Sequence, residues 1–310
     1  MKVLFVCSGN QGLSPIVQAQ TISLQNAGVS VDIHMIIGKG LVGYLGAIPR
    51  LKRAIKKHNP DLVHAHYSLC GIVSYLATSK PIVTSLMGSD VNQSGLLKAV
   101  TKFFIRHSWE KTIVKSIDMK EKINSKDIVV LPNGVNLDLF RPMDKSLCRR
   151  KVGWKDDTRI VLFAADPKRP EKNYPLADHA IELCEMEKVE LKVVFGISPN
   201  DIPYYLNACD LLLLTSLWEG SPNIIKEAMA CNVPVVSTPV GDVEWLFGGR
   251  EGLSIASPTA SDIADKVSNL LGAKTLSDGR ARIIDLGLNS KQIAQKLVQV
   301  YSNLLTTSRK

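Results

Sequence analysis

Two carboxylates, Glu219 and Glu227, bracket a stretch whose residue types start a helix at the end of a strand. The run is Leu217-Trp218-Glu219-Gly220-Ser221-Pro222-Asn223-Ile224-Ile225-Lys226-Glu227, and an apolar segment, Leu211–Thr215, precedes it. Ser221 suits a helix N-cap and Pro222 the first helical position. Gly220 lets backbone approach a ligand closely. The helix start then offers unpaired N–H groups and a positive dipole end, which favour a phosphate. Asn223 and Glu227 are four apart and share a helix face. Glu227 can therefore reach the same ligand, and a carboxylate there accepts from both hydroxyls of a ribose. Glu219, just before the helix, can accept from further hydroxyls. Taken singly, each acid also fits as a solvated residue placed at a helix start by the dipole.

The first half holds a second set of polar residues. Ser8-Gly9-Asn10-Gln11-Gly12-Leu13-Ser14-Pro15 is a glycine loop leading into a helix, a form that can cradle phosphate. It lacks Gly-x-Gly-x-x-Gly, which disfavours a dinucleotide site. His64 and His66 close an apolar run, and period two puts both imidazoles on one side. A metal reading would need a third ligand that the sequence does not place. Met87-Gly88-Ser89-Asp90 ends another apolar run, with Asp90 a candidate for hydroxyl contacts or for a helix cap.

These residues need a frame to hold them. Short Val/Ile/Leu-rich runs recur at Val3–Val6, Val31–Ile37, Leu62–Ala65, Ile82–Ser85 and Ile128–Leu131, then at Ile160–Phe163, Leu191–Phe195, Leu211–Thr215 and Val233–Ser237. They lack polar alternation, which is how strands covered on both faces look. Helical patterns such as Pro15–Ala27, Asn173–Met186 and Ala260–Leu271 fall between them. The alternation predicts an α/β fold of doubly wound parallel sheets, whose ligands bind outside the carboxyl ends of the strands. It is interrupted at Leu131-Pro132-Asn133-Gly134, a turn that continues through Arg141-Pro142 and reads as a linker. At 310 residues the chain is long enough for two domains. A last helix at Ser290–Leu305 carries Ile293, Leu297, Val300 and Leu304 on one face, which it must bury.

At this point a resemblance becomes specific. Glu219 and Glu227, framed by Gly220, Pro222, Ala228, Pro234 and Val235, are similar to the Glu-x7-Glu pattern of the family-4 retaining glycosyltransferases. Leu131–Pro142 (LPNGVNLDLFRP) resembles that family's interdomain signature, with Asn136 where Asp is commoner. The resemblance implies the GT-B fold, two Rossmann-like domains facing across a cleft. Residues 1–141 would form the acceptor-side domain and 142–289 the nucleotide-sugar domain, with 290–310 crossing back onto the first. It also implies the donor, a UDP- or GDP-sugar. Glu227 would hold ribose and Glu219 sugar hydroxyls. Arg169, Lys172, Gly12 and the helix start at Ser221, Pro222 and Asn223 would carry the diphosphate, where fixed cations stabilise a departing anion. His66 matches the His near the donor's sugar and β-phosphate, and Asp90 falls on the acceptor side. Met87 departs from the family's usual His. That departure raises the alternative of a non-catalytic sugar-nucleotide-binding partner subunit, and a GT-B sugar-nucleotide epimerase is a third reading.

Composition narrows the setting. With 45% hydrophobic and 22% charged residues the chain reads as globular, and its six cysteines show no Cys-x-x-Cys pairing. No Asp-x-Asp motif is present, so no metal cofactor is expected. Residues 1–150 hold 20 Lys and Arg against nine Asp and Glu, whereas the rest holds 18 against 20. The positive excess therefore lies in the first half and suggests an anionic partner there. Leu96–Lys115 reads as a basic, partly amphipathic helix. Its apolar Leu96, Leu97, Val100, Phe103, Phe104 and Trp109 alternate with Lys98, Lys102, Arg106, Lys111 and Lys115, a form suited to anionic lipid. The expectation is a cytoplasmic protein, peripheral on the inner face of the membrane, with a sugar or lipid-linked acceptor and no nucleic-acid partner.

Overall fold

The computed structural model describes residues 1–91, 95–125, 128–273 and 276–307. The side chain of Leu96 and the end of the expected last helix, 308–310, lie outside the described residues. The chain forms two compact units, residues 1–134 with the segment from Ser290 onward, and residues 135–289.

In the first unit the strands are β1 (Lys2–Ser8), β2 (Ser30–Ile36), β3 (Leu62–His66), β4 (Ile82–Ser85), β5 (Lys111–Val114) and β6 (Ile128–Val130). Helices α1 (Pro15–Asn26), α2 (Gly40–Leu45), α3 (Ile48–His58), α4 (Ser68–Ala77), α5 (Gly88–Val91), α6 (Leu96–His107) and α7 (Ile117–Ile123) alternate with them. The sheet order is β2-β1-β3-β4-β5-β6, and all pairings are parallel. The strands β1, β3, β4 and β5 are buried nearly throughout, as apolar runs without alternation require, whereas the edge strands β2 and β6 are only partly covered. The order reverses between β1 and β3, so their carboxyl ends flank the switch point. Gly12 follows the first of those ends, and His66 closes the second.

Two expectations for this unit are corrected. The basic helix stops at His107, and Lys111–Val114 is a strand of the sheet. Ser108 ends the helix and Trp109 is buried, while Thr112, Ile113 and Val114 are β-branched and fully covered. Lys115 is therefore not on a helix face but buried at the carboxyl end of β5. On the last helix, α8 (Ser290–Thr307), Tyr301 rather than Val300 occupies the buried stripe with Ile293, Leu297 and Leu304. An apolar pattern passes over a tyrosine whose hydroxyl finds a partner inside. Here the Tyr301 hydroxyl lies 2.5 Å from His64 Nδ1, and His64 Nε2 lies 2.8 Å from the Ser85 hydroxyl.

In the second unit β7 (Arg159–Phe163), β8 (Val189–Val193), β9 (Leu211–Leu214), β10 (Val235–Ser237) and β11 (Leu253–Ile255) form a parallel sheet ordered β11-β10-β9-β7-β8. The three-residue β11 is too short to stand out in sequence. Its reversal lies between β7 and β9, so the loops after these strands meet at the switch point. Val161, Phe163, Leu211, Leu213 and Val236 share one core with Ala177, Ala180, Ile263 and Val267 from the helices Tyr174–Glu182 and Ala260–Ala273. Residues 135–141, read above as the end of the first domain, group instead with this unit. The reason is polar: Arg280 donates to Phe140 O at 2.7 Å and Leu137 O at 2.9 Å, and Val135 N–H donates to Leu288 O.

Tyr301→Phe keeps the ring but leaves a buried nitrogen of His64 without its partner. It should destabilise the protein by about 1–3 kcal/mol in urea unfolding. An unchanged midpoint would show that this hydrogen bond does not hold the terminal helix.

Candidate functional site

The carboxyl edge of the second sheet gathers the strongest set. After β7 the chain turns through Asp166–Lys168 to Arg169, and a short 3₁₀ turn over Pro170–Lys172 follows. Arg169 donates from Nε to Glu171 at 2.8 Å, and Lys172 Nζ donates to Glu219 Oε1 at 2.5 Å. The Ser216 hydroxyl donates to the same Glu219 oxygen at 2.8 Å. Backbone bonds stitch the two loops, since Leu217 N–H donates to Glu171 O and Thr215 Oγ1 bonds the carbonyls of Lys172 and Asn173. Lys172 and Glu219, 47 positions apart in sequence, are thus direct partners across the switch point. Arg169 is the more exposed, with 56% of its side chain open to solvent.

Helix α9 (Asn223–Ala230) begins one residue later than expected. Pro222 is the N-cap and Ser221 is not, because the Ser221 hydroxyl instead accepts from Lys226 Nζ at 3.1 Å. Pro222 has no side-chain acceptor to offer, so the first-turn N–H groups face the loop without a side-chain cap. Glu227 follows one turn in, and burial raises its carboxyl to about 7 against the pull of the neighbouring Lys226 charge.

The first unit places its candidates at the corresponding edge of its own sheet. Gly12 has φ +80, a left-handed conformation in a loop where an added Cβ would meet nothing, so backbone shape alone calls for glycine. His66 is 3% exposed, and neither ring nitrogen has a hydrogen-bond partner among the described residues. Its ring stacks on His64 at 4.4 Å and meets the edge of Phe5 at 4.6 Å. Burial, reinforced by the Lys115 charge, pushes His66 down to about 3, so the imidazole is neutral. His64 has both nitrogens occupied. Asp90 is buried, and its two oxygens accept from the N–H groups of Ser68 (2.9 Å) and Met87 (2.6 Å). Burial outweighs these bonds and lifts Asp90 to about 6. It ties the turn after β4 to the start of α4. A cavity of about 370 Å³ lies at the amino ends of β7, β9 and β10, lined by Arg159, Asp210 and Pro234, away from all of these groups.

Comparison with known proteins falls on this frame. Residues 2–139 match the model for Glycosyltransferase Family 4, and residues 147–273 match that for Glycosyl transferases group 1. The chain belongs to the GT-B glycosyltransferases of this type. TuaC of Bacillus subtilis (strain 168), assigned as a glycosyltransferase of teichuronic acid biosynthesis, is 30% identical over 237 residues, covering 67% of this chain and 61% of the relative. A D-inositol 3-phosphate glycosyltransferase of Catenulispora acidiphila is 25% identical, covering 77% of this chain and 68% of its own length. The chain thus spans about 61% of the Bacillus relative's length. Two solved structures share the fold. Sucrose-phosphate synthase from Thermosynechococcus elongatus superposes with a TM-score of 0.84 at 17% identity, over 99% of this chain and all of that one. HepE from Anabaena, in complex with UDP and glucose, gives 0.82 at 18% identity, over 98% of this chain and 100% of that one.

The GT-B frame also contains a buried group that sequence reasoning passed over. Lys226 is fully buried behind the helix start, and its environment includes Asp242 from the turn after β10. That turn packs hard on the Glu219–Ser221 loop: Gly241 has φ +58, and a Cβ there would lie 2.6 Å from Gly220 O. Thr238 Oγ1 donates to Ser216 O at 2.8 Å. A lysine next to Ile225 and ahead of Ala228 and Met229, all three buried, was the available signal. Burial lowers Lys226 to about 8, with Asp242 and Glu227 acting the other way.

The folded value lies below the 10.5 of an ordinary lysine, so unfolding takes up a proton between about pH 8 and 10.5. Stability from this residue therefore rises with pH across that window. Lys226→Met should be less stable than wild type by about 3 kcal/mol near neutrality. The gap should widen as pH rises from 8 towards 10 in denaturant titrations, and a constant gap would contradict the assigned burial effect.

Proposed function

We propose that this chain is a retaining glycosyltransferase that moves a hexosyl group from a UDP- or GDP-sugar to an acceptor hydroxyl. The observation that carries the reading is the convergence of Arg169, Lys172, Glu219 and the start of α9 on one switch point, with Glu227 a turn behind. The N–H groups of the first helical turn, from Asn223 onward, have no side-chain cap and suit the diphosphate. Arg169 and Lys172 supply fixed cations for the charge that develops as it leaves. Both are held by carboxylates in the free protein, and a diphosphate would compete for them. Glu227 receives ribose and Glu219 the hydroxyls of the transferred sugar. The family resemblance assigns Gly12 to the donor's phosphates and the neutral His66 to its sugar.

In the transfer, the bond between the anomeric carbon and the diphosphate oxygen breaks, and that oxygen keeps the electron pair. The acceptor oxygen bonds to the same face of that carbon, and its proton passes to the departing phosphate. The products are the glycosylated acceptor and the nucleoside diphosphate. The relatives' association with teichuronic acid and inositol phosphate favours an acceptor that is a sugar or a lipid-linked sugar, within cell-surface polysaccharide, lipopolysaccharide or glycolipid assembly. A lipid-linked acceptor would be met at a membrane surface. No described helix is long and apolar enough to cross one.

Met87 and Asp90 favour a second reading, a donor-binding subunit without turnover. Met87 lacks a polar side-chain group, and Asp90 spends both oxygens on backbone. Donor binding without transfer across a broad acceptor panel would support it, and isomerisation of the donor without any acceptor would mark an epimerase.

Ribose hydroxyls donate to the ionised carboxylate of Glu227, so donor affinity should rise as pH increases through about 7 and that group loses its proton. Glu227→Gln should flatten this dependence. Glu227→Ala should weaken nucleoside diphosphate binding about 10- to 100-fold by calorimetry. Wild-type affinity in both variants would remove the ribose role.

A further inference from the structure

We propose that the segment from Ile37 to Lys57 is a membrane-docking surface that seats the first unit on anionic lipid. Four aliphatic side chains cluster within nine residues with no core to cover them: Ile37 is 69% exposed, Leu41 52%, Val42 84% and Leu45 36%. Helix α3 follows directly. It buries Leu51 and Ile55, while Arg50, Lys52, Arg53, Lys56 and Lys57 are exposed, as is Lys39 before α2. No Asp or Glu occurs between Asp32 and Asp61. None of these six basic residues forms an ion pair among the described residues.

Exposed aliphatics beside unpaired cations fit one occupant. A lipid surface offers acyl chains to the first and phosphate headgroups to the second. A second copy of this chain fits poorly, because a two-fold contact would bring six positive charges against six more. A nucleic acid would use the charge but not Ile37, Leu41 and Val42.

The surface is firmly mounted. Gly38 and Gly43 touch backbone to backbone, since a Cβ on Gly38 would lie 2.6 Å from Gly43 O. Asn10 clasps Gly38 with two hydrogen bonds, its amide donating to Gly38 O at 2.7 Å and its carbonyl accepting from Gly38 N–H at 2.9 Å. Asn10 belongs to the same glycine loop as Gly12, so the lipid-facing segment and the candidate phosphate loop are joined by one side chain. It is separate from the basic helix α6 (Leu96–His107), the part of the 96–115 segment that remains helical.

The docking stands whether or not the chain transfers a sugar, so its test uses no donor. The full chain is mixed with phosphatidylglycerol or phosphatidylcholine vesicles at low salt, and the bound fraction is read by sedimentation. Binding to phosphatidylglycerol alone, weakened by salt, is expected. Val42→Asp and the pair Lys56→Glu/Lys57→Glu should each weaken it about tenfold or more, at unchanged melting temperature. Lys98→Glu/Lys102→Glu on α6 should leave it intact. Absence of binding at low salt overturns the proposal, and so does binding that resists Val42→Asp or is lost only with the α6 pair. A concentration-dependent dimer abolished by Val42→Asp in the absence of lipid would assign the face to a second copy instead.

Discussion

A parallel sheet covered on both faces leaves its strand ends as the place where polar side chains can act. Both units are built this way, and the constraint organises everything else in the chain. Phe5, Val63, Leu162 and Leu212 are spent on burial, so chemistry collects in the turns that follow them. The reversal of strand order then selects which turns come together. In the second unit it joins the loop after β7 to the loop after β9, and Lys172 reaches Glu219 across that join. Without the switch point these residues would belong to unrelated loops.

Polar groups drawn into the interior serve these loops. Lys226, Ser221 and the turn at Asp242 lie behind the start of α9, with Gly241 pressed against Gly220. In the first unit His64 is held between Tyr301 and Ser85, with Lys115 Nζ at 3.4 Å from the same serine. Each such group is charged or hydrogen-bonding in a place where an unmet partner costs about 1–3 kcal/mol. The loops are consequently fixed before any ligand arrives, which is the condition for electrostatic preorganisation. His66 differs from its neighbour His64, since both its nitrogens are buried and without a hydrogen-bond partner among the described residues. A neutral imidazole with free hydrogen-bonding capacity is suited to a ligand that brings its own polar groups.

Much of the site was legible because its signals are local. The glycine of the first loop, the proline at the helix start and the spacing of Glu219 and Glu227 are all read within a dozen residues. Lys226 was passed over because a lysine at a helical position normally reads as solvated, and only packing from α9 against its neighbours shows otherwise. Val300 was preferred to Tyr301 for the same reason, as the value of a buried hydroxyl depends on a histidine 237 positions away. The strand at Lys111–Val114 was absorbed into a helix because its four residues carry too short a pattern to compete with the basic repeat before it.

The sequence by itself determined most of the element types, the two-fold recurrence of doubly wound sheets and the helix start that follows Gly220, because periodicity, capping residues and breakers act over short range. It also carried the charge asymmetry of the first half. Only the tertiary structure decided which residues pair and which remain open. It set Glu219 on Lys172, committed Asp90 to backbone and buried Lys115. It also left Val42 and its neighbours uncovered beside the basic face of α3. Those outcomes depend on strand order and on burial, and both are set by contacts between segments far apart in the chain.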